Sequence, residues 1–222
     1  MDWRTKMIRD PDHIVFLVDD DPKVRESVGE LLRSVGLQSI AIGSIHDYLE
    51  LPRPDVPACI VLDIELPDLN GLEFQAQVEK DDHPPVVFIT GHGDIPSSVS
   101  AMKRGAVDFL TKPFKSEVLI AAVRAAIAQD RERREERGAL ADLKIRFGQL
   151  TPREQQVLPL IVSGLLNKQG AAELGISEIT YQVHRARVMQ KMQVASFAEL
   201  VRIAAKLKIP ITHSRYAGVP AR

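Results

Sequence analysis

The chain has 222 residues, 45% hydrophobic and 27% charged, with a formal net charge of −1. Those proportions suit one large or two small globular domains, and they exclude a collagen, a disordered tail or a span of roughly 18 apolar residues crossing a membrane. A single cysteine, Cys59, excludes a disulfide framework and a Cys-built zinc site and suits a reducing cytosol. The mixed-charge stretch from Met1 to Asp12 has no apolar signal-peptide core, so a cytoplasmic protein without membrane partners is expected. The small net charge hides a segregation. From Thr151 onward there are ten Lys and Arg against four Glu and no Asp, a net of +6, which leaves −7 on the first 150 residues. A basic third on an acidic body points to nucleic acid as the partner of one part and something else for the other.

The first element is the continuous run His13–Val18, ended by three aspartates and Pro22. Lys23–Val35 follows with apolar spacing of three and four and stops at Gly36, which predicts a helix with a glycine C-cap. Further apolar runs come at 38–42, at 59–62 (ended by Asp63), at 86–89 (ended by Thr90) and at 107–110 (ended shortly by Lys112). Runs without in/out alternation predict strands covered on both faces, as in a parallel sheet. Helical spacing at Leu72–Glu79, Pro96–Arg104 (before Gly105) and Glu117–Ala128 supplies the covering layers. The fold expected for 13–128 is therefore α/β, a doubly wound five-stranded parallel sheet. Residues 129–148, with four arginines balanced by four acids over 129–137, read as a solvated, semi-rigid helical linker in which the acids cancel any field for nucleic acid. In 149–209 no strand pattern occurs. Thr151-Pro-Arg-Glu154 has the form of a capping box, and four helices are predicted at about 152–163, 168–174, 178–192 and 196–206.

The polar residues that end the strands collect at the edge where open parallel sheets bind ligands. Asp19, Asp20 and Asp63 would repel one another there unless a divalent cation joined them. Oxygen donors without Cys favour Mg2+ over zinc. Once two carboxylates are neutralised, the third can act as a nucleophile toward phosphorus, with a lysine and a threonine holding the phosphoryl oxygens. Asp21 suits the N-cap of the following helix. His92 is a loop residue with no catalytic role, and Cys59 is read as a small buried apolar residue.

Val18-Asp-Asp-Asp21, Leu62-Asp63-x-x-Leu-Pro67-Asp-x-x-Gly71, Thr90-Gly-His and Thr111-Lys112-Pro113-Phe114 resemble, in order and spacing, the response-regulator receiver domain. The resemblance implies Asp63 as phospho-acceptor, with Asp19, Asp20, Asp63 and the backbone carbonyl of Glu65 as ligands of Mg2+. It further implies Lys112 as phosphate-binding lysine with a cis bond to Pro113, Thr90 as switch hydroxyl and Phe109 as switch aromatic.

In the C-terminal third, Gly175-Ile-Ser177 is a short turn of helix-turn-helix type, with Ser177 as N-cap of the second helix. On that helix Ile179, Val183, Val188 and Met192 are expected to face the core in part, and Gln182, Arg185, Ala186 and Arg187 to project outward. Thr151-x-Arg-Glu, Gly164-x-x-Asn-Lys168, Leu174-Gly-Ile-Ser177, Thr180, His184-Arg185 and Lys191 resemble the LuxR/FixJ-type DNA-binding domain. That resemblance implies base contacts near Gln182, Val183 and Ala186, with Lys168, Thr180, Arg187 and Lys191 on the DNA backbone. Two residues depart from the family pattern: Gly170 replaces an apolar helix residue and Tyr181 replaces a valine. With the receiver, the resemblance implies a two-component transcription regulator, not an enzyme, phosphorylated by a sensor histidine kinase. It would dimerise when phosphorylated through a face including Val99 and Lys103, and act on promoter DNA and RNA polymerase. A phosphorylation-independent DNA-binding regulator and a metal-dependent phosphatase are the alternatives.

Overall fold

The computed structural model describes residues 12–78, 83–91 and 94–211. His92, and all of the N-terminal stretch before Asp12, lie outside them. Two compact units divide the chain, one ending at Glu135 and the other starting at Glu136.

The first unit runs β1 (Ile14–Val18), α1 (Pro22–Ser34), β2 (Ser39–Ile42), α2 (Ile45–Glu50), β3 (Ala58–Asp63), α3 (Gly71–Gln77), β4 (Val86–Thr90), α4 (Ile95–Lys103), β5 (Asp108–Thr111) and the start of α5 (Ser116–Gly148). All strand pairs are parallel, in the order β2-β1-β3-β4-β5. The runs lack alternation because both faces are covered. Phe16, Val18, Ile60, Leu62 and Phe88 pack with Ile45 and Tyr48 of α2, Phe74 of α3 and Ala101 of α4. Val15, Leu17, Cys59, Val61, Val87 and Ile89 pack with Val28 and Leu32 of α1 and Leu119, Val123 and Ile127 of α5. Each large apolar side chain so buried contributes roughly 1.5–3 kcal/mol. Gly36 and Gly105 close α1 and α4 at φ of 79° and 90°, a region where only glycine is unstrained. Asp21 caps α1 by accepting from Lys23 N at 2.8 Å.

Three features depart from the sequence reading. The six-residue α2 was not expected; Ser44 caps it, accepting from Asp47 N at 3.0 Å. The helix expected at 117–128 continues through the expected helical linker at 129–148 as one helix of 33 residues. Its stretch after Ala128 is not fully solvated, although a solvated linker is expected there. Asp130 is 3% exposed, accepts the Ala58 N–H at 2.9 Å and the Arg134 Nε–H at 2.7 Å, and Arg134 also pairs with Asp55. The first unit therefore extends past the expected boundary at 128, because a buried carboxylate ties the helix to the start of β3.

The second unit holds α6 (Pro152–Val162), α7 (Asn167–Glu173), α8 (Glu178–Lys191) and α9 (Phe197–Lys206) around Val157, Leu158, Ile161, Tyr181, Val188, Met192 and Leu200. The expected facing of α8 is half corrected. Val188 and Met192 are buried, but Ile179 is 75% and Val183 44% exposed, and the wholly buried aromatic is Tyr181. Tyr181 reaches inward because Gly170 leaves room for it. A Cβ at Gly170 would lie 2.4–2.5 Å from three atoms at the hydroxyl end of the Tyr181 ring. The two departures from the family pattern are thus one packing solution.

Candidate functional site

Parallel strands bring the residues after their C-termini to a common edge. Asp19 and Asp20 follow β1, Asp63 ends β3, Thr90 ends β4, and Lys112 follows β5. Hydrogen bonds fix this edge: Asp19 N donates to Ile42 O at 3.2 Å, and Lys112 N to Thr90 O at 2.7 Å. Lys112 Nζ donates to Asp19 Oδ2 and to Asp63 Oδ2, both at 2.6 Å. The other oxygens of those carboxylates accept main-chain N–H groups, Asp19 Oδ1 from Asp21 at 2.9 Å and Asp63 Oδ1 from Glu65 at 3.1 Å. Glu65 therefore has its main chain beside the Asp63 carboxylate. The carboxylate oxygens of Asp19, Asp20 and Asp63 come within 4.8 Å of one another, Asp19 and Asp63 buried and Asp20 exposed.

Burial pushes the Asp19 carboxyl above its ordinary range, and Lys112 only partly opposes that. For Lys112, burial works to lower the ammonium's pKa, but its hydrogen bonds to Asp19 and Asp63 outweigh this and raise it, so the lysine stays charged. An oxygen-only donor set suits a hard divalent cation better than zinc. Gly71 explains part of the Leu-Pro-Asp-x-x-Gly spacing. A Cβ there would sit 2.6 Å from the Asp63 carbonyl oxygen, so α3 can start this close to Asp63 only at glycine. The Lys112–Pro113 bond is cis.

Of the remaining expected residues, Thr90 is buried, and Phe109 is partly buried with its ring 6.3 Å from that of Phe88. Val99 and Lys103 are exposed on α4, with Ile95 and Met102 exposed on the same helix.

In the second unit, Ser177 caps α8 by accepting from Thr180 N at 3.1 Å, and the hydroxyls of Ser177 and Thr180 are 2.8 Å apart. Gln182, Val183, Ala186, Arg187, Lys168 and Thr180 are exposed. Arg185 is half-buried and donates to Asn167 Oδ1 at 3.2 Å, so it does not project freely as expected. Lys191 is engaged within the unit, donating to Glu154 Oε2 at 2.7 Å and to Gln149 O at 3.2 Å. Glu154 completes the capping box, accepting from Thr151 N at 2.8 Å while its own N–H donates to Thr151 Oγ1 at 3.3 Å. No sequence signal pairs Glu154 with Lys191, because 37 residues separate them.

Comparison with known proteins adds to this geometry. Residues 15–124 match the response regulator receiver domain, and residues 148–204 match the bacterial regulatory proteins of the luxR family. Nodulation protein W of Bradyrhizobium diazoefficiens is 49% identical over 207 residues, which cover 93% of this chain and 91% of that one. The transcriptional regulatory protein FixJ of Azorhizobium caulinodans is 44% identical over 191 residues, 86% of this chain and 90% of its own. The solved structure of the response regulator StyR superposes with a TM-score of 0.77 at 46% identity, covering 87% of this chain and 98% of that one. Among the described residues no helix is long and apolar enough to cross a membrane. Both family matches and full-length relatives of 44–49% identity agree, so the chain belongs to the LuxR/FixJ family of response regulators, whose work is phosphorylation-controlled regulation of transcription.

Proposed function

We propose that Asp63 accepts a phosphoryl group from a phosphohistidine of a sensor kinase, and that this promotes dimerisation and promoter binding. The observation that carries the reading is the Lys112 ammonium held at 2.6 Å from both Asp19 and Asp63 inside a three-carboxylate cluster. In the transfer, an Asp63 carboxylate oxygen attacks phosphorus; a P–O bond forms as the P–N bond breaks, and the imidazole leaves with the electron pair. Asp19, Asp20, Asp63 and the Glu65 carbonyl would hold Mg2+, whose charge offsets that gathered on the carboxylates and phosphoryl oxygens. Lys112 then exchanges the lost carboxylate charge of Asp63 for a phosphoryl oxygen, and the Thr90 hydroxyl donates to another. Phe109, partly buried beside Phe88, turns inward behind Thr90 and alters the α4–β5 surface.

That surface, with Val99 and Lys103, is the dimer contact in this reading. Two copies set two recognition helices on a two-fold site. Gln182, Val183 and Ala186 face the bases; Lys168, Thr180 and Arg187, with Lys191 through the N–H not given to Glu154 or Gln149, supply contacts to the phosphates, which fix register and affinity. Such a regulator works in the cytoplasm beside RNA polymerase, where a free thiol persists.

The test is incubation of wild type and Asp63→Asn with acetyl phosphate and Mg2+, read by intact mass, light scattering and DNA binding. Wild type should gain a phosphoryl adduct, dimerise and bind DNA more tightly, and Asp63→Asn should do none of these. Equal DNA affinity with and without the donor would favour the constitutive regulator instead.

A further inference from the structure

Ile179 stands in the first turn of α8 and is 75% exposed. A single exposed isoleucine is ordinary on a protein surface. This one is the start of a line. Val183 is 44% exposed one turn on, and Ala186 is exposed three residues further. At about 100° per residue these three fall on one side of the helix, opposite the buried Tyr181, Val188 and Met192. Exposed Thr180 and Arg187 border the line on one flank and Gln182 on the other. The core is therefore complete without Ile179, and its apolar side chain is presented outward at the helix end that, in helix-turn-helix proteins, reaches the bases.

We propose that Ile179 is a specificity-determining residue that packs, with Val183, against the 5-methyl groups of thymine in the major groove. This rests on the reading of α8 as a DNA-recognition helix. An isoleucine side chain has no hydrogen-bonding group, so it can distinguish bases only through shape and apolar contact. The thymine methyl is the one apolar feature that base edges present in that groove. DNA is the occupant favoured by charge, since residues 151–222 carry a net of +6 and Arg187 adjoins the line. The apolar line reads bases while the basic flank holds phosphates, so the two roles separate on one helix.

The experiment starts by selecting a preferred duplex from a random library with the full chain in beryllofluoride and Mg2+. Each thymine of that duplex is then replaced singly by deoxyuridine, which removes only the methyl group, and affinity is measured for wild type and Ile179→Ala. Wild type is expected to lose about fourfold at one or two thymines, the loss of one buried methyl-sized group. Ile179→Ala should bind the thymine duplex about fourfold more weakly and lose the penalty at the thymine that Ile179 covers, keeping it at one that Val183 alone covers, while binding an unrelated duplex as wild type does. The same deoxyuridine penalty at every thymine in both proteins, or a selected sequence without thymine, would overturn the role of Ile179 and leave DNA recognition standing. Failure of wild type to select any sequence would overturn the recognition-helix reading and this inference with it. Unchanged circular dichroism and thermal midpoint of Ile179→Ala are expected from its exposure. A variant that unfolds would itself contradict the claim that the core is complete without this side chain.

Discussion

Replacing Gly170 by alanine should reverse in sign according to what stands at position 181. In an ordinary helix the exchange stabilises by roughly 1 kcal/mol, because alanine loses less backbone entropy. Here the added Cβ would fall 2.4–2.5 Å from three atoms of the Tyr181 ring, well inside contact distance. The ring is wholly buried and has no exposed direction in which to retreat. Overpacking of that kind costs about 1–3 kcal/mol, and three simultaneous clashes belong toward the upper end. Gly170→Ala alone should therefore destabilise the helix-turn-helix by about 1–2 kcal/mol. In a Tyr181→Val background the same exchange should stabilise by about 1 kcal/mol, a coupling of roughly 2–3 kcal/mol between the two sites. Hydrogen exchange of α6–α9 peptides in the full chain reads this opening free energy without requiring the whole protein to unfold in one step. Tyr181→Phe is the control. The tyrosine hydroxyl is buried with no hydrogen-bond partner among the described residues, so its removal should cost nothing or stabilise slightly. Greater protection from Gly170→Ala in both backgrounds would refute the idea that the tyrosine occupies the missing methyl's place.

Three further outcomes are expected. Burial works to raise the Glu154 carboxyl, but the Lys191 ammonium and the Thr151 N–H and hydroxyl outweigh it and hold the group below the ordinary carboxylate range. A depressed folded value means that this contribution to stability is whole above the ordinary range and is lost as pH falls through the folded value; acid titration of α6 protection in wild type but not in Glu154→Gln would show it. Lys168→Ala and Arg187→Ala should each reduce the slope of log affinity against log salt by about one, measured by anisotropy on duplex DNA, with little change in sequence preference. A fragment ending at residue 135 should resist urea better than one ending at 128 by roughly 2–3 kcal/mol, since only the longer one supplies Asp130 to the Ala58 N–H and Arg134 to Asp130. Equal midpoints would show that this tie contributes nothing.

The carboxylate pocket was legible because its residues sit where strand runs stop, and a parallel sheet turns that sequence rule into a shared edge. Asp19, Asp63 and Lys112 meet as expected although 49 and 93 residues separate the lysine from its two partners. Other features left a weaker trace. Helix α2 buries only Ile45 and Tyr48, too few for periodicity to register, and Ser44 with Asp47 was its one visible signal. Asp130 lies inside a stretch whose charges predict solvent exposure, and the N–H that it accepts is 72 residues away. On α8 the apolar residues allow two opposite faces, one through Ile179 and Val183 and one through Tyr181, Val188 and Met192. The choice turns on the space at Gly170, and spacing along one helix carries no information about a neighbouring helix.

Cys59 sits near the start of β3 without any exposed surface, and burial pushes its thiol far above the range in which a thiolate forms. Because the chain has no other cysteine, the folded molecule offers a thiol-directed reagent almost nothing to react with. A cysteine introduced on α4 or α8 could carry a fluorophore or a nitroxide with negligible background. Modification of Cys59 itself would become a clock for transient opening of the central sheet.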